Sequence, residues 1–486
     1  MSIDRARDAV LLGVIVLVTR LPFATHALWE WDSVLYAKAL EQGFHVSADI
    51  GDQRPHPPGY LFYVALSSAA RWITGDSNAA LVGVSVVASA VAAAVIYLLA
   101  RRFASRELAA FAALAFAVDP LVWAHGEIAL PYIVLAACSV TLALLFWDAR
   151  HGDERRGLIA SAAFGIAAGF RQDLLLVLGP LWLWSLLPGG TRRVALGAVA
   201  VGAASLLWLV PAALWSGGVG AYVAAIATQS GTISGRSVAG GGGEVLWYDL
   251  RFVVLALSWG LFALGAVLLG LLLAPALHWA RRPRIRRPGE LTTFFLVWLL
   301  PGLAIYLFWI IGDWGYVLSI LPGLYVLCAT LLARALARAH GAPIVIARAL
   351  LLSVLAGTAL FFVGSGARWS AGLLAAHDRS VIDRVTFIRA RISPDATVLL
   401  AREDYQLARY YLNEYLAWLY DPAPARTGEA PKNAFRTLVV FTPDLALRQP
   451  LDPIGSLASD ARAAGLTVAS GSNVKLFGDY PIAREP

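Results

Sequence analysis

The feature that most restricts what this chain can fold into is an apolar run that recurs along most of its length. The hydrocarbon core of a bilayer calls for about 20 helical residues, and runs near that length fall at roughly 9–26, 81–100, 107–124, 128–147, 157–170, 173–188, 194–215, 250–279, 291–311, 315–333 and 343–364. Backbone groups inside such runs find no water, so they must bond within a helix. Charged residues make up 15% of the chain, against about 25% in a soluble domain, and they gather in the connections. The sequence therefore predicts a polytopic all-α membrane protein with about eleven spans. The first run is followed by no small-residue cleavage site, so it reads as a retained helix and not a signal peptide. Cys138 and Cys328 both fall inside apolar runs; they read as small core residues, with neither a disulfide nor a metal cluster to build from them.

The basic residues orient the spans. Alternate connections hold Arg5 and Arg7, Arg101, Arg102 and Arg106, Arg150, Arg155 and Arg156, Arg192 and Arg193, the five arginines of RRPRIRR, and Arg334, Arg338 and Arg348. The opposite connections hold only Lys38, Arg54, Arg71, Arg171 and Arg236. The positive-inside rule then puts the N-terminus in the cytoplasm and, with an odd number of spans, the C-terminus outside. The net charge of +7 is thus a topology signal and not a nucleic-acid footprint. The chain is expected in the inner, cytoplasmic membrane of a cell.

Three regions fall on the outer side. The first loop, 27–80, contains SVLYAKALEQGF and GYLFYVALSSAARWIT, whose apolar spacing suits helices lying in the membrane interface. The second region, 216–249, carries the Gly/Ser-rich GTISGRSVAGGGGE and reads as mobile. In the third, from 366 to 486, ATVLLARED and RTLVVFT read as strands, and SVIDRVTFIRARI, YQLARYYLNEYLAWL and IGSLASDARAAG as helices. That alternation predicts a small extracytoplasmic α/β domain after a membrane domain spanning 1–365. No internal repeat of the kind that builds many transporters is present.

Polar clusters concentrate at the outer ends of the runs. WEWDS sets Glu30 and Asp32 between tryptophans, which also suits an interfacial aromatic belt. RPHPPGY, in the same loop, adds Arg54, His56 and Tyr60. HGEIALPY brings His125, Glu127 and Tyr132; FRQD brings Arg171 and Asp173; GDWGY brings Asp313 and Tyr316. Ionisable groups at membrane depth are costly, and by default they mark function. Recurrence on one side of the membrane points to a shared outer cavity. Acids there can activate a hydroxyl, and arginines can hold a phosphate.

In this arrangement the chain resembles the GT-C glycosyltransferases, above all the protein O-mannosyltransferase-like group and the lipid A aminoarabinose transferases. The resemblance rests on WEWDSVLYAKAL, RPHPPGYLFYV, GEIALPY and GDWGYVLSILPGL, with an acidic motif and two interfacial helices in the first outer loop and, in many members, a C-terminal extracytoplasmic domain. Many relatives have adjacent acids where this chain has E-x-D, which leaves open whether Glu30 or Asp32 is the base.

The resemblance implies a GT-C fold and inverting sugar transfer at the outer face, from a polyprenyl-phosphate-linked donor to a glycan, glycolipid or protein acceptor. It implies Asp32 as the base, preferred because the helix after it resembles the family's, with Glu30 orienting the acceptor or a metal. Arg54, His56 and Arg171 are candidates for the leaving phosphate; Tyr60, His125, Glu127, Tyr132, Asp173, Asp313 and Tyr316 are candidates for binding substrate. Glu30 and Asp32 could also hold a divalent cation, Mg or Mn; no other cofactor is implied. The alternatives are a transporter or flippase of lipid-linked sugars, and a polysaccharide ligase or polymerase.

Overall fold

A computed structural model of the chain describes residues 3–49, 51–280, 289–309, 311–337, 342–395, 397–420 and 437–442, with the short strands 467–468, 475–476 and 480–481. The chain divides into two compact units, Met1–Ala24 with Ala39–Leu374, and Thr25–Lys38 with Ala375–Pro486.

The first unit is helical. Among the described residues, six of its helical stretches are long and apolar enough to cross a membrane: Ser77–Ala100, Tyr132–Arg150, Leu174–Trp215, Val238–Phe262, Glu290–Phe308 and Ile344–Gly364, with Leu321–Leu336 shorter. The helix Ser77–Ala100 sits at its centre, packed against Ile3–Arg20, Leu61–Thr74 and Tyr132–Arg150. Its buried positions are largely small, among them Ala80, Ser85, Ala88, Ser89, Ala92 and Ala93, and small side chains let helix backbones approach closely. Asp76 caps its N-terminus, accepting the Ala79 amide at 2.7 Å. Ser85 donates to the carbonyls of Ile128 and Leu130 at 2.9 and 3.1 Å, which pins the GEIALPY turn to this helix.

Helices Trp31–Gln42 and Leu61–Thr74 form where apolar spacing in the first loop predicts them. The second opens after Tyr60, which is left-handed at φ 61°. Trp72 and Ile73 at its C-terminal end are strongly exposed.

The Gly/Ser-rich stretch expected to be mobile is instead helical, as Val219–Gly235 followed by a long helix from Val238 that breaks at Gly242 and Phe262. The first of these helices is anchored by apolar residues that precede the Gly/Ser-rich run. Tyr222 and Ala225 bury against Val46, Leu61, Trp208 and Ala212, and the Tyr222 hydroxyl donates to the Pro58 carbonyl at 2.7 Å. The residues of GTISGRSVAGGGGE themselves stay mostly exposed, with Ser237 buried.

The second unit contains a parallel sheet of β1 (Thr397–Ala401), β2 (Leu416–Leu419), β3 (Thr437–Val440) and β4 (Thr467–Val468), in the order β2-β1-β3-β4. Val398 aligns with Leu416 and Leu400 with Val440. Every residue of β1 is buried, as suits a parallel strand covered on both faces. The predicted helix YQLARYYLNEYLAWL divides: Tyr405–Tyr411 is helical and LAWL is β2. A four-residue apolar run does not reveal its period, and pairing with β1 decides it. The helix expected at IGSLASDARAAG lies outside the described residues. The predicted helix SVIDRVTFIRARI is part of Ala371–Arg391.

Candidate active site

In the second unit, the two carboxylates of WEWDS stand at one helix end. Glu30 immediately precedes the helix Trp31–Gln42 and Asp32 lies in its first turn, where the helix dipole favours negative charge. The Glu30 amide donates to Ser33 Oγ at 3.4 Å, and the Glu30 carbonyl accepts the Val34 amide at 3.3 Å. The flanking tryptophans pack on rings of the same unit, Trp29 on His377 with centroids 4.3 Å apart and Trp31 on Tyr405 at 5.9 Å. Burial holds the His377 imidazole below its ordinary range.

In the first unit, FRQD, HGEIALPY and GDWGY meet. Arg171 follows the helix Glu154–Ala167, and its Nε lies 3.1 Å from Asp173 Oδ2. The guanidinium sits 3.9 Å over the Tyr316 ring and 5.3 Å from that of Tyr132. Burial by itself would lower the Arg171 pKa, but Asp173, with Tyr316, Tyr60 and Tyr132, more than offsets this and keeps it charged. The ring faces hold the cation by their quadrupoles. Tyr316 reaches Arg171 from the short 3-10 helix Trp314–Ser319, which Asp313 caps by accepting the Gly315 amide at 2.7 Å. Gly315 is needed for this approach: a Cβ there would stand 2.2 Å from the Tyr132 ring.

His125 is fully buried. Its Nδ1 donates to the Leu121 carbonyl at 2.8 Å, which turns Nε2 toward Asp313 Oδ1 at 3.8 Å. Trp369 covers the ring at 4.9 Å and Tyr132 meets its edge at 5.7 Å. His56 Nε2 lies 3.4 Å from the Tyr60 hydroxyl. A bulky residue in the left-handed region, as Tyr60 is, persists only where its surroundings enforce it, and such residues cluster at functional sites.

Two candidates have partners of other kinds. Arg54 pairs with Asp52 at 3.2 Å and donates to the Gln42 carbonyl at 3.0 Å, while its backbone bridges His45. Glu127 accepts from Trp123 Nε1 at 3.1 Å and faces Arg20 Nε at 3.8 Å; burial pushes its carboxyl up to about 8, against the pull of Arg20. The first unit thus brings together Arg171, Asp173, Tyr132 and Tyr316, with Tyr60 acting on Arg171 and the pair His125 and Asp313 beside Tyr132. Arg20, Tyr306 and Trp369 escaped the sequence reading. Tyr306 bonds Ser319 Oγ at 2.5 Å and packs on Tyr316; a buried tyrosine in an apolar run carries no sequence mark of its role. Among the described residues, no group of three or more His, Cys, Asp or Glu could hold a metal ion.

The fold is shared with two solved proteins, ArnT and an archaeal oligosaccharyltransferase. ArnT from Cupriavidus metallidurans bound to undecaprenyl phosphate matches with a TM-score of 0.54 at 16% identity, over 85% of this chain and 85% of that one. The apo state of the same protein matches at 0.51 and 17% identity, over 86% and 88%. The Archaeoglobus fulgidus oligosaccharyltransferase, tethered to an acceptor peptide containing the NVT sequon, matches at 0.51 and 16% identity, over 87% of this chain and 64% of that one. By sequence, residues 55–215 match the dolichyl-phosphate-mannose-protein mannosyltransferase family, a stretch that contains His56, Tyr60, His125, Glu127, Tyr132, Arg171 and Asp173. No curated protein matches the chain.

Proposed function

We propose that this protein is an inverting glycosyltransferase that moves a sugar from a polyprenyl-phosphate donor to an acceptor hydroxyl at the outer face of the cytoplasmic membrane. About eleven helices span the bilayer, with a cytoplasmic N-terminus, a first outer loop bearing interfacial helices, and an outer α/β domain over 366–486. The observation that carries this reading is the buried, charged Arg171 held between Tyr132 and Tyr316 and paired with Asp173. A guanidinium kept charged in an apolar setting suits a departing phosphate, because charge is stabilised most where water is excluded.

In the proposed reaction Asp32 takes the proton of the acceptor hydroxyl, with Glu30 orienting that acceptor. The acceptor oxygen forms the new bond to the anomeric carbon as the carbon–phosphate oxygen bond breaks. The bonding electrons leave on the phosphate, which departs as the polyprenyl phosphate. Arg171 receives that charge, aided by Arg54 and His56. Tyr60, His125, Tyr132, Asp173, Asp313 and Tyr316 shape the sugar and acceptor subsites. A single base and a stabilised leaving group suffice for inversion, so no protein nucleophile is required. Glu30 and Asp32 supply only two carboxylates for a divalent cation, and no step is routed through one; the effect of EDTA on turnover tests that choice.

The test is turnover by purified protein in detergent with undecaprenyl-phosphate mannose and other polyprenyl-phosphate sugars, read as release of the polyprenyl phosphate and glycosylation of an acceptor lipid or peptide. Flux of lipid-linked sugar in proteoliposomes, with no product from any donor, would overturn the reading.

A further inference from the structure

The acidic stretch of the second unit is fastened by its backbone. Asp378, on the helix Ala371–Arg391, accepts two successive amides: His26 N–H at 2.7 Å on Oδ2 and Ala27 N–H at 3.0 Å on Oδ1. The Tyr411 hydroxyl accepts the next amide, that of Leu28, at 2.8 Å. His377 Nε2 donates to the Leu28 carbonyl at 3.1 Å while its ring packs on Trp29. Past the acids, Lys38 Nζ donates to the buried Gln406 Oε1 at 2.7 Å. Ala27 and Leu28 have no exposed surface, so these backbone groups depend on the side chains that meet them. The run from 26 to 38 is therefore held at both ends, with Glu30 and Asp32 between the fastenings.

We propose that Asp378 is a positioning residue for sugar transfer: its bidentate hold on the amides of His26 and Ala27, with Tyr411 on Leu28, fixes where the helix bearing Asp32 begins. This rests on the reading of Asp32 as the base. A carboxylate accepts from two amides at once, whereas an asparagine of the same size presents an NH2 group to one of them and meets donor with donor. Asp378→Asn therefore frees the backbone at 26–28 with little change in volume. Loss of register before a catalytic group acts on the chemical step, and a displacement near 1 Å lowers rate by about a hundredfold.

The experiment uses full-length protein in nanodiscs, with undecaprenyl-phosphate mannose as donor. Amide hydrogen exchange is followed by mass spectrometry over residues 24–30, and kcat, donor KM and the pH profile are measured in parallel. Asp378→Asn is expected to speed exchange at 26–28 and lower kcat by about a hundredfold, with donor KM and the pH of half-maximal activity unchanged. Tyr411→Phe, which removes one hydroxyl, should give a weaker form of both effects and serves if Asp378→Asn does not fold. Glu403→Gln, at an exposed pair with Arg402, should change neither. Unchanged exchange at 26–28, or faster exchange with full kcat, overturns the proposal. If Asp32→Asn keeps its turnover, the base assignment falls, while the exchange data still report on the fastening.

Discussion

Among the described residues of the helical unit, the arginine–carboxylate pairs Arg20–Glu127 and Arg171–Asp173 are built for different ends. Arg20 and Glu127 are sealed, with side chains 1% and 0% exposed. Arg20 also donates to the Ala117 carbonyl at 2.5 Å and lies 4.7 Å over Trp123. A Cβ on Gly126 would stand 3.0 Å from Arg20 Nε and 2.4 Å from Ser89 Oγ, so the turn closes tightly around the pair. Arg171 and Asp173 are 7% and 27% exposed, and Arg171 has aromatic faces where Arg20 has a carbonyl. A sealed pair holds helices together, while an accessible one can exchange its partner for a ligand. Equal chemistry thus serves structure in one pocket and, in our reading, substrate in the other.

The contrast can be sharpened by substitution, starting from the largest change. Asp32→Asn should lower kcat by about a thousandfold, the scale of general-base catalysis, with an unchanged melting temperature. Arg171→Lys keeps the charge but loses the planar face that rests on Tyr316 and Tyr132, and turnover should fall by about a hundredfold. Arg20→Met should act oppositely, destabilising the protein by about 3 kcal/mol because the Ala117 carbonyl and the Glu127 carboxyl lose their buried donor, while the folded fraction keeps its kcat. Equal loss of kcat in both arginine variants would erase the distinction. Gly315→Ala should give an intermediate loss of turnover by driving Tyr132 off Arg171, and Gly312→Ala, where a Cβ meets nothing nearer than 3.3 Å, much less.

The smallest effect is one of pH. Glu127 is raised in the folded protein to about 8 from an ordinary 4.5, so folding favours its protonated form. Its contribution to stability is full below its unfolded pKa, and it is lost as pH rises through about 8. Thermal melts from pH 5 to pH 9 should show this decline, and Glu127→Gln should flatten it.

Part of the fold was legible because a membrane allows few answers: apolar runs predict helices, and Asp76 caps one of them where its type predicts; against about eleven expected spans, six helical stretches among the described residues are long and apolar enough to cross. The strand LAWL was not legible, since its partner β1 lies outside any local window. The helix at 219–235 was masked by its glycines, whose weak propensity hid the apolar face carried by Tyr222 and Ala225. For the candidate site, the residue types were readable but their company was not. Nothing near FRQD announces that Arg171 will rest on Tyr316, and nothing near GEIALPY that Glu127 will face Arg20. Those pairings come from helices that meet only in the finished bundle.

The fastening of the acidic stretch also has a consequence for how the protein is made. His26 emerges early in synthesis, yet the carboxylate that receives its amide lies 352 residues further along the chain. Contacts of such long range form late, after local structure has set. The stretch bearing Glu30 and Asp32 therefore waits, its amides unclaimed, through the synthesis of nearly every helix that follows. Until Asp378 is made, the acid loop lacks the carboxylate that fastens it, so competence arrives as one of the last events in the life of the nascent protein.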